Sequence, residues 1–91
     1  MKTQRWLALV EFDGNEESRV SGYSAEDALQ NLIGEIVRNW IDGEYVIDGG
    51  FLIELGEMLR DIERTIEKRR EFVRDCGDMD AQWRIEVIRV A

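Results

Sequence analysis

The sequence predicts a small α+β domain in which a three-stranded antiparallel sheet packs on two helices, in the order β-β-α-α-β. Apolar and polar residues alternate near both ends of the chain, as they do in strands. Between these ends, two long stretches carry apolar residues at gaps of three and four, as amphipathic helices do. The 91 residues, 44% of them hydrophobic, fit one globular domain spanning 1–91.

The N-terminal residues predict a β-hairpin. Over residues 5–12, one face would carry Trp6, Ala8, Val10 and Phe12. Asp13, Gly14 and Asn15 suit a tight turn, and the more polar residues 17–23 would return as an edge strand. Because the first strand is the most apolar, we expect it to be central, with the last strand beside it.

The last strand is predicted over residues 82–90. Trp83, Ile85 and Val87 fall on one face, whereas Ile88 and Val90 fall on the other. Two explanations remain open: both faces of the sheet are covered, or a bulge changes the phase of the strand.

The first helix has clear signals at both ends. Ser24 can cap its N-terminus, and Asp27 completes a capping-box pattern. Gly43, after Asp42, fits the left-handed position that follows a helix C-terminus. We therefore expect a helix over residues 25–41.

The second helix is predicted to be the longest element, over residues 48–76, with Asp48 as its cap. The alternative is a second hairpin formed by residues 45–47 and 51–55, with the helix beginning near Glu57. The apolar residues at 51, 52 and 55 are in phase with the downstream stripe, which favours the single helix. The predicted core is Trp6, Val10, Leu29, Ile33, Ile36, Trp40, Leu55, Leu59, Ile62 and Ile85.

The composition argues against most enzymatic chemistry. The chain contains no histidine, and Cys76 is its single cysteine, so zinc sites and histidine-based triads are excluded. Its glycines form no phosphate-binding motif, and its acidic residues do not have calcium-loop spacing. We expect a non-enzymatic protein without a cofactor or metal.

The charge is unevenly distributed. The net charge is −8, but residues 11–57 contain twelve acids and two bases, a net of −10. Such a field favours a protein partner with a basic surface and disfavours direct binding to nucleic acid or anionic lipid. The candidate partner-binding residues form two groups, one of Asp13, Glu16, Glu17, Glu26 and Asp27, and the other of Asp42, Glu44 and Asp48.

The sequence also predicts a location. It has no apolar run long enough to span a membrane, and its N-terminus lacks the features of a signal peptide. A lone cysteine suits a reducing compartment. We expect a cytoplasmic protein with no membrane association.

Two resemblances suggest functions. The run from Trp6 through the hairpin into residues 23–29 (YSAEDAL) resembles the start of HicB-type antitoxins, although that family's additional strand and Leu-Pro-Gly-Cys turn have no counterpart here. This resemblance implies an antitoxin-like regulator. The small, acidic, motif-free profile resembles phage-encoded inhibitors of host defence, such as anti-CRISPR proteins and DNA mimics. Our leading expectation is an inhibitor that blocks a basic surface of a nucleic-acid-binding defence complex.

A homodimeric adaptor is a further alternative. The long helix would carry a basic line next to an acidic line, so two copies could pair antiparallel. The basic line is Arg60, Arg64 and Lys68, and the acidic line is Glu63, Glu67 and Glu71.

Overall fold

A computed structural model describes residues 6–43, 49–66, 71–77 and 82–90, which form two helices and four strands. The elements are β1 (Trp6–Phe12), β2 (Asn15–Gly22), α1 (Ala25–Ile41), α2 (Gly49–Ile66), β3 (Glu71–Gly77) and β4 (Gln82–Arg89). The strands form one antiparallel sheet in the order β2-β1-β4-β3. The predicted α+β class with two helices is confirmed, but the prediction of three strands is wrong.

The N-terminal hairpin has the predicted arrangement. Asp13 and Gly14 form its turn with positive φ angles of 50° and 86°, a conformation that Gly adopts without strain and Asp tolerates. β1 pairs with β2 on one side and with β4 on the other. The first strand is therefore central and adjacent to the last, as expected.

Both predicted ends of α1 are confirmed. The Ser24 hydroxyl accepts a hydrogen bond from the Asp27 amide at 3.0 Å, and Asp27 Oδ2 accepts one from the Tyr23 amide at 2.9 Å. At the other end, the Gly43 amide donates to the Trp40 carbonyl at 3.0 Å, and Gly43 has a φ of 83°.

The second helix begins at Gly49, so the prediction of a helix through residues 51–55 is confirmed over the alternative hairpin. Its predicted cap, Asp48, lies outside the described residues. The extension of this helix to Cys76 is wrong, because α2 ends at Ile66 and residues 71–77 form β3. Pairing with β4 gives these residues backbone hydrogen bonds within a sheet, and this tertiary contact overrides their helical spacing.

The helices and one face of the sheet enclose a single core. Of the predicted core residues, six are buried, namely Val10, Leu29, Ile36, Leu55, Ile62 and Ile85. Trp6, Ile33 and Leu59 are partly buried against them. The prediction that Trp40 belongs to the core is wrong. Its side chain is 41% exposed, because it lies in the last turn of α1, one turn beyond the last buried residue of that helix. Trp83 completes the core through ring contacts with Phe12 and Phe51, at centroid distances of 4.6 and 4.8 Å.

The sheet therefore has two different faces. The covered face, which packs on the helices, contributes Ala8, Val10, Ile85 and Val87 to the core. The opposite face, here called the open face, carries Leu7, Leu9, Val73 and Ile88; within the described ranges no helix packs on it. The register between β1 and β4 is unbroken, and the one register shift recorded lies between β1 and β2 at Val10 and Glu11. The position of Ile88 thus follows from simple strand alternation.

Candidate functional site

The first predicted acidic group is divided between opposite ends of β2. Asp13, Glu16 and Glu17 lie at the turn between β1 and β2, whereas Glu26 and Asp27 follow the far end of that strand. The six steps from Glu16 to Gly22 span about 20 Å at a rise of about 3.3 Å per residue. The fold therefore does not bring these five carboxylates together.

Glu26 and Asp27 both have local roles in α1. The Asp27 carboxylate accepts the Tyr23 amide, as described above, and Glu26 Oε1 accepts a hydrogen bond from Gln30 Nε2 at 3.2 Å. Both carboxylates also lie in the first helical turn, where negative charge is favourable. Stabilisation of the helix start is sufficient to explain these two residues.

Other elements bring further acids to the turn end of the sheet. α1 runs back over β2 and β1, which returns Asp42 to this end, and β1 and β3 contribute Glu11 and Asp75. We call this set the acidic end; it comprises Glu11, Asp13, Glu16, Glu17, Asp42 and Asp75. All are exposed except Glu11, which is half-buried. The other two predicted residues, Glu44 and Asp48, lie outside the described residues.

Nearby arginines are already paired within the chain. Arg38 Nη1 lies 3.1 Å from Glu35 Oε2, and Arg84 Nε lies 3.0 Å from Glu86 Oε1. Arg19 donates through Nε to Glu16 Oε1 at 3.1 Å, and this hydrogen bond, together with the charge of Glu16, raises the pKa of Arg19 above its ordinary value. These pairings leave the acidic end with an excess of negative charge.

A second charged feature joins α2 to the edge strand β3. Arg74 contacts three carboxylates of α2, at 2.9 Å for Glu54, 3.2 Å for Glu57 and 3.3 Å for Asp61. These acids lie on one face of the helix, at spacings of three and four residues, and the Arg74 side chain is 28% exposed. The cluster fastens β3 to the helix layer.

This cluster is not predicted from the sequence, because Arg74 falls within the predicted long helix and not on a separate strand. The available signal was the spacing of Glu54, Glu57 and Asp61 beside the apolar stripe of α2. Next to the cluster is a shallow depression of about 360 Å³ lined by Glu57, Arg60, Asp61 and Arg64, two acids and two bases. Its formal charges balance, so it does not extend the acidic end.

The open face combines apolar and charged residues. Leu9 is 5% exposed although it does not belong to the core cluster, and in the strand register it lies between Arg19 on β2 and Glu86 on β4. The aliphatic parts of such side chains can cover a neighbouring apolar residue. In the next row, Glu11 lies between Glu16 and Arg84.

Among the described residues, no three acidic or cysteine side chains are placed to hold a metal ion. Neither described helix has the length and apolar character needed to cross a membrane. No protein-family model, curated protein or solved structure matches the chain. The charge and shape of these surfaces are therefore the features that bear on function.

Proposed function

We propose that this chain is a non-enzymatic inhibitor that places its acidic end on a basic surface of a nucleic-acid-binding complex. The complex would belong to the cytoplasmic defence of a host cell, and the inhibitor to a phage or another mobile element. The chain's carboxylates would occupy positions that nucleic-acid phosphates otherwise take. The observation that carries the proposal is the gathering of six carboxylates at one end of the sheet from five separate elements or turns.

The geometry suits this role in two respects. The exposed carboxylates are held by a hairpin turn and strand ends on a packed core, so binding would require little reordering of the backbone. Most of their charge is not balanced locally. Arg19 pairs with Glu16 and Arg84 lies 4.0 Å from Asp75, but the other four carboxylates have no arginine partner among the described residues. A negative field of this kind accelerates association with a basic surface and disfavours wrong partners.

The test compares two double variants that remove the same charge. Glu17→Gln with Asp42→Asn neutralises two exposed residues of the acidic end, whereas Glu26→Gln with Asp61→Asn neutralises two acids outside it, one on each helix. Partners are first captured from host lysate and identified by mass spectrometry, and affinities are then measured with purified components. We expect the acidic-end variant to bind about tenfold or more weakly, because rim charges act on the rate of association.

The salt dependence of binding gives an independent readout. Wild-type affinity should fall steeply between low and physiological salt, because exposed charges are screened over about 8 Å at physiological ionic strength. If the acidic-end variant binds like the wild type, or if both double variants lose the same affinity, the proposed mechanism is wrong.

The open face supports a second candidate function, that of an antitoxin-like regulator that neutralises a toxin by apolar contact. The order of a β-hairpin followed by a capped helix is compatible with the resemblance noted above. Leu7, Val73 and Ile88 would supply the contact. Binding of this kind would depend weakly on salt and would persist in the acidic-end variant.

A further inference from the structure

The open face has a charge order that is complementary to itself. In one row the residues flanking Leu9 are Arg19 on β2 and Glu86 on β4. In the next row the flanking residues of Glu11 are Glu16 on β2 and Arg84 on β4. Within each row, the side chains on the two sides of β1 therefore carry charges of opposite sign. From one row to the next, the order of the two signs is reversed.

We propose that the open face binds a second copy of this chain, with the two sheets stacked about a two-fold axis parallel to β1. This rotation keeps each row in place and exchanges the β2 side with the β4 side. Arg19 then faces Glu86 of the other copy, and Glu16 faces Arg84, each twice because a two-fold contact is reciprocal. An axis perpendicular to the strands and midway between the two rows would also pair opposite charges, but it would place Glu11 opposite Leu9, whereas the parallel axis places Leu7 opposite Leu7. The apolar residues of β1 therefore favour the parallel axis.

The centre of this contact is apolar. Leu7 on β1 lies on the axis and meets Leu7 of the second copy, and Ile88 lies beside it. Leu9 is also on the axis but is only 5% exposed, so it contributes little to the contact. Glu11 also meets its own copy, at the end of the contact and between the two Arg84 side chains. The contact thus has an apolar centre within a charged rim, the usual anatomy of a protein interface.

The size of the contact sets the expected strength. Three strands about 4.8 Å apart, with seven residues rising about 3.3 Å each, cover roughly 14 by 23 Å in projection. This is roughly 320 Å² per copy, below the range for stable complexes, so we expect a weak dimer with a dissociation constant well above the micromolar range. The edge of β2 is a poorer contact site, because a register shift and adjacent charged residues disrupt its end.

The test uses charge reversal and its rescue. Arg19→Glu places two acids opposite each other in the dimer, and Glu86→Arg places two bases opposite each other. Sedimentation from micromolar to millimolar concentration should show a monomer–dimer equilibrium for the wild type and at least about tenfold weaker association for each variant. An equimolar mixture of the two variants should restore association, because every reversed residue then meets its opposite.

The mixture separates a lost contact from a damaged fold, since unfolding of either variant would not be repaired by mixing. Arg60→Glu, on the exposed face of α2, is the matched control and should leave the equilibrium unchanged. A wild-type chain that is monomeric up to millimolar concentration overturns the proposal. So does a dimer that is weakened by Arg60→Glu but not by Arg19→Glu, which would place the contact on the helix.

Discussion

The covered and open faces of the sheet are built from alternate residues of the same strands, and they exclude water in different ways. On the covered face, Ala8, Val10, Ile85 and Val87 are fully enclosed by the helices. On the open face, Leu9 is enclosed although no described helix packs there, and its neighbours across the strands are charged. One layer of backbone thus supports a core on one side and an amphipathic surface on the other.

This difference separates the residues that stabilise the fold from the residues that a partner could contact. The covered face has no buried polar side chain among the described residues, so its contribution to stability comes from packing. The open face carries paired charges that contribute little to stability when exposed but fix the order of charges that a partner would meet. Substitutions on the two faces should therefore have separable effects.

The largest expected difference is between Ile85→Ala and Ile88→Ala, which make the same change on the two faces of β4. Ile85 is fully buried in the core, so its truncation should lower the free energy of unfolding by about 2–5 kcal/mol. Ile88 is half-buried, and its truncation should cost about 1 kcal/mol or less. Urea unfolding at low protein concentration measures both values, provided that the slope of the unfolding free energy against urea concentration is unchanged. Equal losses would mean that the open face is as well packed as the core.

A smaller effect is expected at Gly22, where β2 meets α1 on the covered face. A methyl group at this position would lie only 2.7 Å from the Ala28 Cα atom, so helix and strand would have to separate. Gly22→Ala should cost roughly 1–3 kcal/mol. Gly34→Ala is the control, because a Cβ there meets nothing within 4 Å and should stabilise α1 by up to about 1 kcal/mol. If both substitutions changed the free energy of unfolding in the same direction, the close approach of helix and strand at Gly22 would be contradicted.

The sequence predicted the elements whose signals are local. The hairpin turn, the Ser24 cap and the Gly43 terminus each depend on a few adjacent residues, and all three are confirmed. The sequence did not predict β3, because its spacing also continues the stripe of α2. The run Glu71, Phe72 and Val73 contains two residues that favour strands, but the decisive contribution is pairing with β4, which is a tertiary contact.

The candidate surfaces were predictable only in part. Composition identified the acidic segment, but which acids share a surface depends on the directions of β2 and α1. Asp42 joins Asp13 at one end, whereas Glu26 and Asp27 lie at the other. The contact of Arg74 with three carboxylates could not be predicted from the sequence either, because it requires β3 to be a strand beside α2.

The smallest expected difference is between two arginines on opposite faces, Arg74 and Arg84. Arg74→Gln leaves Glu54, Glu57 and Asp61 close together without their cation and loosens the contact between α2 and β3. We expect a loss of about 1 kcal/mol, because the side chain is mostly buried and serves three partners. Arg84→Gln, on the open face, removes a more exposed ion pair and should cost about 0.5 kcal/mol or less.

The salt dependence of the unfolding free energy shows whether each loss of stability has an electrostatic cause. In the Arg74→Gln variant, added salt should recover part of the lost stability by screening the three carboxylates from one another. The Arg84→Gln variant should show little change, since its loss is small from the start. Urea unfolding of both variants at low and high ionic strength tests this. If Arg74→Gln costs no more than Arg84→Gln at low salt, the triple contact does not fasten β3 to the helix layer.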